Sequence, residues 1–137
     1  MTLALIRQAL EDALAEVGPD VVTIQRNARG DPPSTESYQI VDLLMAEPGN
    51  DEYGDAWSAD GVFQVTLADP IGKGPGATER RAQTLIDAFY RGRSLAAGGL
   101  AVTISRTPWV MPSRRDDDRF LTPVRITFHA RIPPRTP

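Results

Sequence analysis

An α+β fold is predicted by three features of this 137-residue chain: two segments with helical apolar spacing, several with strand alternation, and glycine- and proline-rich connections between them. The order reads α-β-β-β-α-β-β, with five strands in a mostly antiparallel or mixed sheet and both helices on one of its faces. The stretch from Asp60 to Pro108 organises the rest. Val62 to Ala68 alternates, placing Phe63, Val65 and Leu67 on one face and Gln64 and Thr66 on the other, as a strand covered on one side does. After Asp69-Pro70, the run Gly72-Lys73-Gly74-Pro75-Gly76 cannot continue a strand and lets the chain turn into a helix near Ala77. Ala82, Leu85, Ile86 and Phe89 then recur at i, i+3, i+4 and i+7, a stripe that belongs against the sheet, and the helix is expected to run to about Tyr90. Arg91-Gly92-Arg93 sets a stop residue between two cations at the negative helix end, so Gly92 is expected at positive φ directly after the last helical position. Leu100, Val102 and Ile104 open the next strand.

Ahead of this unit, Thr2 is placed to cap a helix carrying Leu3, Ile6, Leu10, Ala13, Leu14 and Val17, which Gly18-Pro19 stops. Its polar face holds Arg7, Gln8, Glu11, Asp12 and Glu16, not the basic face of a membrane-surface anchor. Val21 to Gln25 reads as a short strand, Asn27 to Thr35 as a loop and Tyr38 to Met45 as a second strand. The run Ile40, Val41, Leu43, Leu44, Met45, broken only by Asp42, predicts partial burial on both faces. The last strand alternates too, with Val124, Ile126, Phe128, Ala130 and Ile132 on one face and Arg125, His129 and Arg131 on the other. A single domain over residues 1–132 is expected, followed by a flexible tail over 133–137.

Two longer stretches, Ala46 to Ser58 and Thr107 to Arg119, lack apolar periodicity and read as mobile loops. Each sets a Trp among charged residues, the composition of a recognition surface. Tyr53, Trp57, Trp109, Arg114 and Arg115 are the candidate contact residues. The competing reading of Trp57 is that it packs on the edge of its own domain.

Composition bounds the possibilities. With 41% hydrophobic residues the chain can bury one core but not two, and its formal net charge of −3 lacks the basic surplus of a dedicated nucleic-acid binder. There is no cysteine, so disulfides and thiolate metal sites are excluded. No apolar run reaches the ~20 residues of a bilayer span, and Glu11, Asp12 and Glu16 lie where a leader would be apolar, so the chain is expected to be soluble and unexported.

Motifs for catalysis or cofactors do not assemble. The glycine-rich turn lacks the Ser or Thr after Lys73 that a phosphate loop needs, and G-x-G-x-x-G does not fit; turn geometry accounts for it. Asp116-Asp117-Asp118 lie too close in sequence to converge on one cation and, between Arg114, Arg115 and Arg119, read as a charge-balanced loop tip. His129 is the only histidine and reads as a half-exposed strand residue. Arg80, Arg81, Arg91 and Arg93 could touch a phosphate backbone, although two of them equally suit a helix C-terminus. No catalytic residue, metal or cofactor is expected.

The succession of apolar strand, glycine-rich turn, Ala-rich helix ending in Phe-x-x-Gly-x-x-Leu, short gap and Val-x-Ile strand resembles the tail terminator, or tail-completion, proteins of long-tailed phages and their prophage-encoded relatives. The residues that carry it are Gly72, Gly74, Gly76 and Ala77 in the turn, Phe89, Gly92 and Leu95 after it, and Val102 and Ile104 in the strand. The resemblance implies a non-enzymatic virion protein that caps the tail tube as a homo-oligomeric ring of six subunits, stops tube growth and offers a surface to the head. Its implied partners are further copies of itself, the tail tube protein and the head–tail connector, with no membrane and at most non-specific contact with transiting DNA. It implies assembly in the bacterial host cytoplasm and residence in the virion tail. The alternatives are another tail or neck component, such as a head–tail joining or minor tail protein, or a small ligand-binding or hydrolytic domain.

Overall fold

The computed structural model describes residues 2–18, 21–25, 37–50, 56–72, 74–116 and 119–133. Its elements are α1 (Thr2–Val17), β1 (Val22–Gln25), β2 (Tyr38–Met45), β3 (Trp57–Pro70), α2 (Gly76–Ala88), β4 (Ser94–Ala97), β5 (Leu100–Ile104), β6 (Trp109–Val110), β7 (Arg114–Asp116) and β8 (Arg119–Ile132). The α+β class holds, but among the described residues the sheet has eight strands where five were expected, because β4, β6 and β7 add to it. Strand order is β1-β2-β3-β8-β5-β4, with β6 and β7 also on β8. Since β3 pairs with β8 from Trp57↔Ile132 to Pro70↔Arg119, it fills one edge of β8, and β5, β6 and β7 share the other. Only β1 and β2 run parallel; the other pairs are antiparallel.

Register puts the core on one face. Val41↔Val65↔Val124, Leu43↔Phe63↔Ile126 and Gly61↔Phe128↔Ile104 form cross-strand rows whose side chains point the same way. Ile6, Ala9, Leu10, Ala13 and Leu14 of α1 and Ala82 and Leu85 of α2 belong to the same buried cluster, so both helices cover that face, as expected. Leu3 does not join the stripe and is 54% exposed, whereas Ala9, outside the expected spacing, is buried. α1 begins at Thr2 itself, so this residue is the first of the helix and not the cap expected ahead of it.

Two backbone features let the long strands pack. A Cβ at Gly61 would sit 2.6 Å from the Leu44 carbonyl oxygen and 2.8 Å from the Phe128 ring, so only glycine allows Phe128 to lie over β3. On β8, the Pro123 carbonyl accepts from the Met111 N–H at 2.9 Å, so the missing Pro123 N–H faces the same side. There the pairing along that edge breaks between β6 and β7.

The helix–sheet connection is held by a buried carboxylate. Asp69, near the end of β3, is 6% exposed. It accepts from Arg81 Nη1 at 2.6 Å and from the hydroxyls of Thr78 and Ser37. One anion therefore ties β3 to the first two turns of α2 and to the residue before β2. Arg81 also reaches the Tyr38 carbonyl at 3.4 Å.

α2 ends two residues earlier than its apolar spacing implies. Phe89 is the C-cap, its N–H donating to the Leu85 carbonyl at 2.9 Å, and its side chain is fully buried. Gly92 has the expected positive φ of 93°, but it is not the residue after the helix. It lies in the following turn, where its N–H donates to the Ile104 carbonyl at 2.7 Å and so docks the turn on β5. The cation at the helix end is Arg93, which donates to the Ala88 carbonyl at 2.6 Å and lies over the Phe89 ring.

Three stability effects follow from this packing. Phe89→Ala should cost about 3–5 kcal/mol, because it empties a fully buried site under α2, and should lower the denaturant midpoint accordingly. Gly92→Ala should cost about 1 kcal/mol from backbone strain alone, since nothing lies within 4 Å of the added methyl; an unchanged midpoint would contradict this. Asp69→Ala should cost about 3 kcal/mol, as it strands Arg81 and two hydroxyls, whereas Asp69→Asn should cost less because it keeps an acceptor; equal midpoints for the two variants would show that the charge and bonds contribute little.

Candidate assembly surface

The sheet face opposite the helices carries Val22, Ile24, Tyr38, Ile40, Leu44 and Val62 on β1 to β3, then Gln64, Arg125 and Thr127. Beyond them lies Trp109, paired with Arg125 on β8. Leu44 is 48% and Trp109 58% exposed, against an interior that is almost fully closed. Arg125 donates to Gln64 Oε1 at 3.0 Å, which holds the polar middle of this face between two apolar margins. Arg119 is buried on the same side, its guanidinium 5.1 Å from the centroid of the Tyr38 ring.

The described residues 107–116 are not the free loop that the lack of periodicity in Thr107 to Arg119 predicts. They form an arm paired to β8 through Trp109↔Arg125, Val110↔Val124, Arg114↔Leu121, Arg115↔Phe120 and Asp116↔Arg119. Trp109 and Arg114 point to the open face, whereas Arg115 pairs with Phe120 and points to the helix side. The three arm candidates therefore share one arm but not one face.

Trp57 is also not in a loop. It is the first residue of β3, opposite Ile132, half-buried against the core, and Ser58 pairs with Gly49 across the β2–β3 turn. The structure thus separates Trp57 from the arm. Tyr53 lies outside the described residues, as do Lys73, Asp117, Asp118, the whole of the expected Asn27–Thr35 loop and the last four residues of the expected tail.

A groove of about 460 Å³ lies between the first turn of α2 and the arm, lined by Pro70, Pro75, Ala82, Val110, Met111 and Phe120, with Thr78 and Asp69 at its base. Sequence reasoning misses it because it forms only when β6 and β7 lie along β8. Gly72 and Gly74 in the turn before α2 have φ of 97° and 74°, while Gly76 is the first helical residue. The Asp69 carboxylate already bonds Thr78 in that first turn, placing a negative charge where a phosphate would sit. His129 Nδ1 meets Asp60 Oδ1 at 2.5 Å on the open face, where both side chains are about half exposed. Among the described residues no group of three or more His, Asp or Glu could hold a metal ion, and no helix is long and apolar enough to cross a membrane.

A family model described as "Phage tail terminator protein" matches residues 5–128. One solved structure is similar over 98% of this chain and 99% of that chain, with 26% identity and a TM-score of 0.81. Another similar chain comes from a structure of the virion of a native gene transfer agent (GTA) particle, with 20% identity and a TM-score of 0.57 over 93% of this chain and 91% of that one; at this identity the likeness is one of fold. No curated protein matches the sequence. The matched family is one of phage structural proteins, not of enzymes. With nearly the whole chain matched, from α1 to the middle of β8, the chain belongs to the phage tail terminator family.

Proposed function

We propose that this protein caps the phage tail tube as a homo-oligomeric ring of six copies, ends tube polymerisation and offers the surface to which the head is joined. The observation that carries this reading is the family match over residues 5–128. The physical features agree with it. One sheet face is closed by two helices and the other leaves Leu44 and Trp109 about half exposed, so the chain has an uncovered face suited to protein contacts. Trp57, Trp109, Arg114, Arg115 and Tyr53 are the proposed contact residues, with the tail tube protein on one side of the ring and the head–tail connector on the other. Assembly takes place in the host cytoplasm. With a net charge of −3, contact with DNA passing through the ring is non-specific at most.

Trp109→Ala combined with Arg114→Ala and Arg115→Ala tests this reading. All three side chains are exposed, so the variant should retain the circular dichroism and denaturant midpoint of the parent. Tails assembled with it should be overlong or headless in electron micrographs. Normal-length, capped, head-competent tails would overturn the assignment of these residues. Headless tails of normal length would favour a neck component over a terminator.

A further inference from the structure

The inner face of the sheet is not closed along its whole length. Among the described sheet residues that face the helices, Phe120 is the one large apolar side chain left exposed, at 41%. The first turns of α2 bring Gly76, Ala77, Thr78 and Ala82 to that end of the sheet, none of them large enough to reach across it. The groove of about 460 Å³ is this uncovered end of the core. Asp69, Ala82 and Thr122, all buried, close its base, and the arm from Val110 to Ser113 forms the wall opposite α2.

Both walls are fixed by bonds within the chain. Val110 pairs with Val124, the Met111 N–H donates to the Pro123 carbonyl at 2.9 Å, and the hydroxyls of Ser113 and Thr122 share a hydrogen bond of 2.5 Å, so the arm is pinned to β8 along the groove. On the other side Thr78 is tied to Asp69. Walls held in this way need little ordering when an occupant enters.

The polar groups at the base are already satisfied. Asp69 accepts from Arg81, Thr78 and Ser37, Ser113 and Thr122 bond each other, and among the described residues no buried side-chain nitrogen or oxygen lacks a partner. An occupant therefore meets the apolar surfaces of Pro70, Pro75, Val110, Met111 and Phe120 and no hydrogen bond left to answer. The charged groups among the described lining residues are Asp69, balanced by Arg81, and Glu79 at the rim, so an anionic group would enter against a carboxylate. Size narrows the choice further. A groove of about 460 Å³ is in the range of small-molecule sites, whereas a stable protein interface needs about 800 Å² from each partner, far more than this groove presents.

We infer that the groove is a binding site for a neutral, largely apolar aromatic molecule of two or three rings, seated between the arm and the first turns of α2; the site stands whether or not the chain caps a tail. Phe120 offers its ring for stacking and Met111 its sulfur to the edge of an aromatic occupant. Touching both walls, the occupant ties the arm, whose other face carries Trp109 and Arg114, to α2.

Two fluorescent probes test this, the neutral N-phenylnaphthylamine and anilinonaphthalene sulfonate, which adds an anionic group to the same rings. Purified chain would be titrated into a fixed low concentration of each. The neutral probe should bind with a Kd of about 1–100 μM and the sulfonate about tenfold more weakly. Phe120→Ser and Met111→Arg, at positions that are not fully buried, should each weaken the neutral probe about tenfold while keeping the circular dichroism of the parent, and Tyr90→Ser, beyond the far end of α2, should leave binding unchanged. Absence of binding, equal affinity for the two probes, or binding that survives both groove substitutions would each overturn the site. A neutral-probe signal that falls as the chain self-associates in the ultracentrifuge would give the groove to a second copy and overturn the small-molecule assignment.

Discussion

The pairing of β3 with β8 is the constraint on which the rest of the structure depends. Both strands span fourteen residues in unbroken antiparallel register, from Trp57↔Ile132 to Pro70↔Arg119. Their inner-face side chains, Phe63, Val65, Ile126 and Phe128, are fully buried and form the floor on which both helices lie. A slip by one residue would turn one strand's half of this set to the open face and present either Gln64 of β3 or Arg125 and Thr127 of β8 to the helices. The bare backbone at Gly61, under the Phe128 ring, helps to pin that register, because any other alignment would set a side chain against Phe128.

Asp69 transmits this register to the helix layer. Near the end of β3, its carboxylate is shared among Arg81, Thr78 and Ser37, so the angle at which α2 leaves the sheet is set by directional bonds as well as by apolar contact. A buried carboxylate without partners would be costly; here each neighbour offers a donor, and the helix N-terminus adds a favourable dipole. At the other end of α2, Arg93 bonds the Ala88 carbonyl and approaches Glu16 of α1 at 3.9 Å, linking the two helices where they meet. The helix layer is thus held at both ends by ions and in the middle by Ala82 and Leu85.

What remains on the outside is organised by the same long strands. β8 extends past β5, and its free edge takes up β6 and β7, which carry Trp109 and Arg114 outward as part of a paired arm. β3 extends past the alternating core to Trp57, and its Ser58 pairs with Gly49.

By itself the sequence determined the two helices, the strands β2, β3, β5 and β8, the alternating buried faces of β3 and β8, and the positive φ of Gly92. Those features rest on local periodicity and on backbone freedom, which a linear chain displays directly. Only the tertiary structure decided that β4, β6 and β7 are strands. They are two to four residues long, too short to show a period, and they pair because β5 and the free edge of β8 offer unpaired backbone groups. The same holds for the candidate surface. Trp109, Arg114 and Arg115 were legible as exposed and chemically distinctive, but not as one arm with two faces. Trp57 read as loop because Ala46 to Ser58 lacks alternation, yet its place is set by Ile132 across the ladder. Asp69 stands beside Pro70 where the alternation of β3 ends, and its burial among Arg81, Thr78 and Ser37 depends on three segments brought together from different parts of the chain, which no local pattern encodes.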